Sequence, residues 1–300
     1  MSNFERILYF LEGEMTRPGN YGWFHLMFVG IIIAVTVFLC LKFKDCSTKT
    51  VNRLLLVAWI VLMVGEVVKQ TLFSFDSDGI TSSWGYQWYA FPYQLCGTPL
   101  VVLPFIVFSK EGKLRDACMA YMATFSLFGG LAVYFYPNDV FVREIAINLQ
   151  TMIHHGLQVI LGIFIAVYNR RRLTFKYYLS SVYVFIVLSA IAIAMNVGVY
   201  HIFQAKGIDQ TFNMFYISPY FDCTLPVLSA IYPLVPYPAF LAIYVLGFMV
   251  ISAIIHYSTK GIVTVSRRKT RRVVMEAETE EESVTKEDLL NQDDVIPSQS

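Results

Sequence analysis

The sequence predicts an all-α polytopic membrane protein, a bundle of seven transmembrane helices with the N-terminus outside and the C-terminus inside. The first observation behind this prediction is composition, because 56% of the 300 residues are hydrophobic and only 15% are charged. The mean hydropathy is +0.54, well above that of an ordinary soluble domain. The second observation is the length of the apolar stretches, and the third is the placement of basic residues between them.

Seven stretches are long and apolar enough to cross a bilayer, which takes about 20 mostly apolar residues. They are 21–43, 51–74, 91–108, 115–136, 145–168, 176–200 and 236–258. The third is the weakest, since Pro92, Pro99 and Pro104 interrupt helical hydrogen bonding and are tolerated only against protein or a water-filled cavity. The stretch "FNMFYISPYFDC" is too short to cross, but it is a candidate for an eighth element that dips into the membrane.

Basic residues collect in alternate loops and set the orientation. They are Lys42, Lys44, Lys49 and Arg53; Lys110, Lys113 and Arg115; Arg170, Arg171, Arg172 and Lys176; and Lys260, Arg267, Arg268, Lys269, Arg271 and Arg272. Such loops stay in the cytoplasm, which places the N-terminus outside and the C-terminus inside. Residues 1–20 are then extracytoplasmic, residues 21–258 form the transmembrane domain, and residues 259–300 form a cytoplasmic tail. This tail is basic and then acidic, and we predict disorder from about residue 273.

The cysteines indicate neither a disulfide framework nor a thiolate zinc site. Cys40, Cys46, Cys96, Cys118 and Cys223 show no paired or C-x-x-C spacing. We predict no cofactor, no resident metal and no nucleic-acid partner. The expected partner is a membrane lipid, and the expected location is the cell membrane, crossed several times.

Two charged residues lie inside the second span, in "GEVVKQT". A charge at mid-membrane depth costs at least about 2.5 kcal/mol, so each one suggests a function. Glu66 and Lys69 are three residues apart, share a helix face and can pair. The pair is either a structural device that lets the span insert or part of a site, and the sequence favours neither.

The fifth span contains two adjacent histidines in "IHHGLQ". At about 100° per residue, one polar stripe forms along this helix. Its members are Asn148, Thr151, His155 and Gln158. We therefore expect His155 to face the interior of the bundle, either in a chemical role or as a hydrogen-bonded core residue. His154 lies off the stripe and is expected at a helix contact.

A cysteine stands near the start of the third span, in "PYQLC". Pro92 predicts a helix start there, which would place Tyr93, Cys96 and Gly97 on one face. A thiol near a helix N-terminus is a better nucleophile when a base is close. The alternative is that Cys96 is a buried small hydrophobic residue, as free cysteines often are.

With the predicted orientation, nearly all the unusual polar groups fall in the outer half of the membrane. We predict one polar cavity there, open to the outside or to the outer leaflet. Its catalytic candidates are Cys96 and His155. Its binding candidates are His25, Glu66, Lys69, Tyr93, Gln94, Thr151, Gln158 and Asn196.

Several motifs occur in a characteristic order. They are His25 near the start of the first span, Glu66 in the second, "PYQLC", "IHHGLQ", "MNVGVY", "FNMFYISP" and "YPLVPYPAFL". With these motifs the chain resembles the YwaF-like bacterial integral membrane proteins, relatives of the animal polytopic protein called transmembrane protein 164. The resemblance runs over most of residues 21–258.

This resemblance implies a chemistry. The animal relatives look like acyltransferases that pass a fatty acyl chain to ether lysophospholipids through a cysteine thioester, with a histidine partner. The histidine of that pair corresponds to His155. The cysteine directly follows the proline in the animal motif, a place held here by Tyr93, while Cys96 stands three residues later. Many bacterial relatives share the later cysteine and often have histidine at the position of Gln94.

Three functions are compatible with these residues. The first is a lipid acyltransferase or hydrolase in which Cys96 attacks an acyl ester, His155 acts as base and then acid, and Glu66 with Lys69 orients the lipid. Its lipid would be a lysophospholipid or an acyl donor. The second is a small-ligand transporter or seven-helix sensor that uses the same cavity. The third is a metal site of His155, Cys96 and Glu66, which has no spacing signature.

Overall fold

The computed structural model describes residues 2–77, 81–137 and 140–293, and these residues are mostly helical. In chain order the helices are α1 (Asn3–Leu11), α2 (Trp23–Phe43), α3 (Thr48–Leu72), α4 (Pro99–Phe108), α5 (Lys113–Tyr121), α6 (Leu127–Phe135), α7 (Ile145–Tyr168), α8 (Phe175–Lys206), α9 (Leu228–Ile231) and α10 (Tyr237–Asp293). A short antiparallel hairpin, β1 (Phe75–Ser77) and β2 (Ser82–Trp84), follows α3. A π-helical turn, Met122–Ser126, joins α5 to α6, so these three form one long helix.

Six helices in the described part of the chain are long and apolar enough to cross a membrane. They are Trp23–Phe43, Thr48–Leu72, Lys113–Phe135, Ile145–Tyr168, Phe175–Lys206 and Tyr237–Ser266. The prediction of a helical membrane protein with several spans is therefore confirmed. The predicted number of seven spans is not. The orientation of the termini stays a prediction.

The third predicted span is not a continuous helix. Only α4 is α-helical there, preceded by a 3-10 turn at Leu95–Gly97, and the predicted helix start at Pro92 is wrong. Ten residues rise about 15 Å, half the thickness of the hydrocarbon core. Pro99 occupies the first turn of α4, where its missing N–H costs nothing.

Helix α7 lies at the centre of the bundle. In α7, 72% of the apolar stretch is buried inside the protein, and in Lys113–Phe135 67% is buried. The other four candidate spans bury only between 22% and 33%. These four present mostly exposed Val, Ile, Leu and Phe side chains, as helices that face lipid do. Polar side chains on α7 consequently meet protein on nearly every side.

Short polar links join the loops at the two ends of the bundle. At the end predicted to face the cytoplasm, Arg170 pairs with Asp45 and Arg172 pairs with Asp116 at 2.9 Å. The Arg170 guanidinium lowers the pKa of the Asp45 carboxyl. At the other end the backbone N–H of Ile145 donates to the carbonyl of Gly13 at 2.9 Å, which ties the N-terminal segment to the start of α7.

The chain forms two compact units, Met1–His256 and Tyr257–Ser300. In the second unit the backbone is helical as far as Asp293. The six Glu residues of 273–293 are good helix formers, which agrees with this helical backbone. Disorder of the tail stays a prediction.

Candidate functional site

The backbone carbonyl of Cys96 is held by two side chains of α7. The Nε2 atom of His154 lies 2.7 Å from this oxygen, and the side-chain amide of Gln158 donates to it at 2.6 Å. His154 and Gln158 are one helical turn apart, so both reach the same acceptor. The 3-10 turn that carries Cys96 is thereby fixed against α7.

This contact also sets the protonation of His154. A carbonyl oxygen can only accept, so Nε2 of His154 must carry the proton, and in the neutral ring Nδ1 has the lone pair. That Nδ1 is buried and meets no hydrogen-bond partner within the described residues. His154 was expected at a helix contact, as a packing or hydrogen-bonding neighbour, and in the structure it lies at such a contact with the Cys96 turn.

His155 has the complementary arrangement. Its Nδ1 lies 2.8 Å from the carbonyl of Thr151 on the same helix, so Nδ1 carries the proton and Nε2 has the lone pair. The predicted stripe is buried as expected, with Thr151 and His155 each 8% exposed and Gln158 fully buried. The rings of His154 and His155 have centroids 5.5 Å apart. The two rings are thus neighbours on α7, and it is His154 that contacts the Cys96 turn.

The predicted ion pair on α3 is present beside this turn. Lys69 Nζ lies 3.3 Å from Glu66 Oε1, and Glu66 is 6% exposed. Both charges lie within electrostatic range of Cys96 and His154. Glu66, Lys69, Cys96, His154 and His155 therefore form one polar group, which we call the Cys96 cluster.

Sequence reasoning missed two residues that support this pair. The side-chain amide of Gln70 donates to Glu66 Oε1 at 2.7 Å and to the carbonyl of Ala90 at 2.8 Å. Tyr86 donates from its hydroxyl to Gln70 Oε1 at 2.8 Å. Gln70 stands four residues after Glu66, so its place on the same face of α3 was a signal that could have found it. Tyr86 gave no such signal.

Gln94 and Asn196 do not face the cluster but hold a buried loop. Gln94 donates to the carbonyl of Asn213 at 2.9 Å and accepts from the N–H of Phe215 at 2.8 Å. Asn196 donates to the carbonyl of Met214 at 3.0 Å and accepts from its N–H at 2.7 Å. These bonds satisfy backbone groups of the 3-10 turn Met214–Tyr216, where Phe215 has a left-handed φ of 59°. Both side chains thus have a structural role, and their binding roles stay predictions.

Tyr93 belongs to the same structural group. Its hydroxyl donates to the carbonyl of Leu188 at 3.2 Å, and its ring lies 5.7 Å from the ring of Phe215. Because residues 91–94 are not helical, Tyr93 and Cys96 do not share the helix face that the sequence predicted. The stretch "FNMFYISPYFDC" forms a loop with a buried 3-10 turn at Phe215, and its dipping into the membrane stays a prediction.

His25 lies among aromatic rings and apart from Cys96. Its ring is 1% exposed and is surrounded by Tyr21, Tyr134 and Phe141, with centroid distances of 5.5, 5.5 and 5.9 Å. Neither ring nitrogen finds a hydrogen-bond partner in the described ranges. The structure therefore does not unite His25 with the other predicted binding residues.

The space beside the cluster is apolar. A groove of about 260 Å³ lies between α3 and α7, lined by Val61, Leu62, Val64, Gly65, Val68, Ala146, Leu149, Gln150, Ile153 and His154. The polar groups that were expected to line one open cavity are instead largely hydrogen-bonded to the chain itself. Over the described residues, no three His, Cys, Asp or Glu side chains are grouped so that they could hold a metal ion.

Comparison with known proteins gives one match. The sequence model of the TMEM164 family matches residues 20–259, which is most of the chain. The chain belongs to the TMEM164 family. The resemblance to relatives of transmembrane protein 164 is thus confirmed, while membership of a bacterial YwaF-like branch stays a prediction. No curated protein and no solved structure matched the chain. The match includes all of α2 to α8, and with them every residue of the Cys96 cluster.

Proposed function

We propose that this TMEM164-family chain is a membrane enzyme that moves a fatty acyl group between lipids through a thioester on Cys96. One observation carries the proposal: two α7 side chains hold the carbonyl of Cys96 and so fix this thiol-bearing residue beside a pair of histidines. The resemblance to lipid acyltransferases supports the same chemistry.

Each histidine then has a different role. His155 is the proposed base, since its Nδ1–H is engaged by the Thr151 carbonyl and its Nε2 lone pair is the one available to take a proton. His154 is a positioning residue, because it acts through its hydrogen bond to the Cys96 carbonyl. Lys69, held by Glu66, places a positive charge near the reacting carbonyl, where negative charge develops.

The proposed reaction has two stages. The Cys96 thiol gives its proton to Nε2 of His155, and the thiolate attacks the acyl ester carbon, forming a C–S bond. The C–O bond of the ester breaks, and the departing lysolipid oxygen takes the proton from His155. In the second stage a lysophospholipid hydroxyl, for an acyltransferase, or water, for a hydrolase, gives its proton to His155. Its oxygen then attacks the thioester carbon, a C–O bond forms, the C–S bond breaks, and His155 returns the proton to the departing Cys96 thiolate.

The test is to isolate the thioester. Purified protein in vesicles that contain phosphatidylcholine with a terminal-alkyne acyl chain should acquire the alkyne on Cys96, as mapped by peptide mass spectrometry. Neutral hydroxylamine should remove the label, since it cleaves thioesters readily. A Cys40→Ser variant should label normally, because Cys40 lies on α2, outside the Cys96 cluster. Absence of a hydroxylamine-sensitive acyl group on Cys96, or its presence on Cys40 instead, would overturn the proposal.

A second candidate function is small-ligand transport or sensing. One observation favours it: the backbone at Phe91–Gln94 and at Phe212–Asn213 is non-helical although much of it is buried, as in the broken helices that form transporter sites. Reaction of Cys96 with two maleimides distinguishes the functions. A lipid enzyme should react with a lipophilic maleimide and resist a sulfonated one. Rapid reaction with the sulfonated reagent would indicate an aqueous path and favour transport.

A further inference from the structure

The α3–α7 groove lies at the depth of the hydrocarbon core. His154 is nine residues into α7 and Gly65 is seven residues from the end of α3, about 10 to 14 Å from those helix ends at 1.5 Å per residue. The outer rim consists of side chains that face lipid, with Val64 60% exposed and Ile153 40% exposed. The groove is therefore open sideways to the bilayer and not to water.

Gly65 makes the groove possible. A Cβ at this position would lie 3.3 Å from Cγ of Gln150, so a larger side chain here would occupy the space between the two helices. The groove volume is about 260 Å³. At roughly 30 Å³ for each chain carbon this holds about eight or nine carbons, which is part of one acyl chain and too little for two chains.

One residue that lines the groove carries an unsatisfied polar atom. His154 lines it and is 5% exposed, and its Nδ1 has no hydrogen-bond partner within the described chain. Buried polar atoms are nearly always paired, so an unpaired acceptor on a residue that lines an apolar groove points to a ligand that brings a hydrogen-bond donor with it. A purely structural helix contact would explain the apolar lining but not this atom.

We infer that the α3–α7 groove takes in one acyl chain of a bilayer lipid sideways from the membrane and brings the polar end of that lipid to His154. The inference rests on the proposed function, because the groove would supply the route by which a lipid reaches Cys96. Binding of the acyl chain in the groove does not require the acyl-transfer reaction. The groove accepts a chain because both are apolar, and its length limits how much of the chain is enclosed.

Photo-crosslinking tests this inference. The protein is placed in vesicles of phosphatidylcholine that carries a diazirine in one acyl chain, and crosslinks are mapped by mass spectrometry. The measured quantity is labelling of the buried groove residues Leu62 and His154 relative to lipid-facing Val57 on α3. Gly65→Leu should lower this ratio by about tenfold, because it fills the groove. Gly30→Leu is the matched control, a glycine of α2 with nothing within 4 Å of its added Cβ, and should leave the ratio unchanged.

A second variant keeps the inference testable if Gly65→Leu does not fold. Ile153→Trp fills the groove from its lipid-exposed rim, where the larger side chain has room, and should also lower the ratio. An unchanged ratio in both variants, or no labelling of Leu62 and His154 in the native protein, would overturn the inference. If Leu62 and His154 were labelled in the native protein but no thioester formed on Cys96, the proposed function would be rejected and the lipid groove would still be supported. If Gly65→Leu formed the thioester normally and left the labelling ratio unchanged, the groove would be rejected and the proposed function would stand.

Discussion

His155→Gln is expected to lower the rate of Cys96 acylation by about 10²- to 10⁴-fold, the usual contribution of a general base. Glutamine can keep the hydrogen bond to the Thr151 carbonyl, but its amide cannot take the thiol proton. The rate is measured as alkyne-acyl incorporation on Cys96 over time, in protein whose folding is checked by its thermal transition in detergent.

His154→Gln provides the comparison. Its amide can still donate to the Cys96 carbonyl, and Gln158 donates there as well, so acylation should fall by no more than about tenfold. His201→Gln, on the exposed outer part of α8, should leave the rate unchanged. If His154→Gln proved far more damaging than His155→Gln, the base would be His154 and our assignment would be wrong.

Gly130→Ala is expected to separate α6 from α7 and to destabilise the protein. An added Cβ would lie 2.7 Å from the carbonyl oxygen of His155 and 2.8 Å from Cβ of Gln158. Neither atom can move without the helix that carries it, so overpacking should cost about 1 to 3 kcal/mol. The thermal midpoint in detergent should fall, and acylation of Cys96 should fall with it, because Gln158 holds the Cys96 turn.

The adjacent glycine supplies the control. At Gly129 an added Cβ would meet only Oε1 of Gln158, at an ordinary contact distance of 3.8 Å. Gly129→Ala should therefore keep or slightly raise the thermal midpoint, since alanine favours the helix by about 1 kcal/mol over glycine. Equal midpoints for the two variants would show that close packing at Gly130 does not hold α6 against α7.

Local patterns in the sequence predicted what depends on one helix alone. Glu66 and Lys69 pair as their three-residue spacing indicated, and the stripe containing Thr151 and Gln158 is buried. Both results follow from helical periodicity, which fixes the neighbours of a residue on its own helix. The helical and multi-span character follows in the same way from apolar segment length.

Contacts between distant segments could not be predicted in this way. Gln94 bonds to backbone atoms at positions 213 and 215, more than a hundred residues away, and no local pattern identifies that partner. The partner of His154 could not be predicted for a related reason, since its angle on α7 indicated a helix contact but not that the Cys96 carbonyl lies there. His25 lies at a similar predicted depth, yet depth does not say on which side of the bundle a residue stands.

The two hydrogen bonds to the Cys96 carbonyl also tie the Cys96 turn to α7. Both donors belong to α7, so a rotation or shift of α7 would carry the Cys96 turn with it as long as the bonds persist. Helix α3 is bonded to the same segment on either side of Cys96, through Trp59 to the carbonyl of Leu100 and Gln70 to the carbonyl of Ala90. The Cys96 turn therefore couples α3 to α7, and under our proposal a lipid that enters between these helices would be sensed at the thiol.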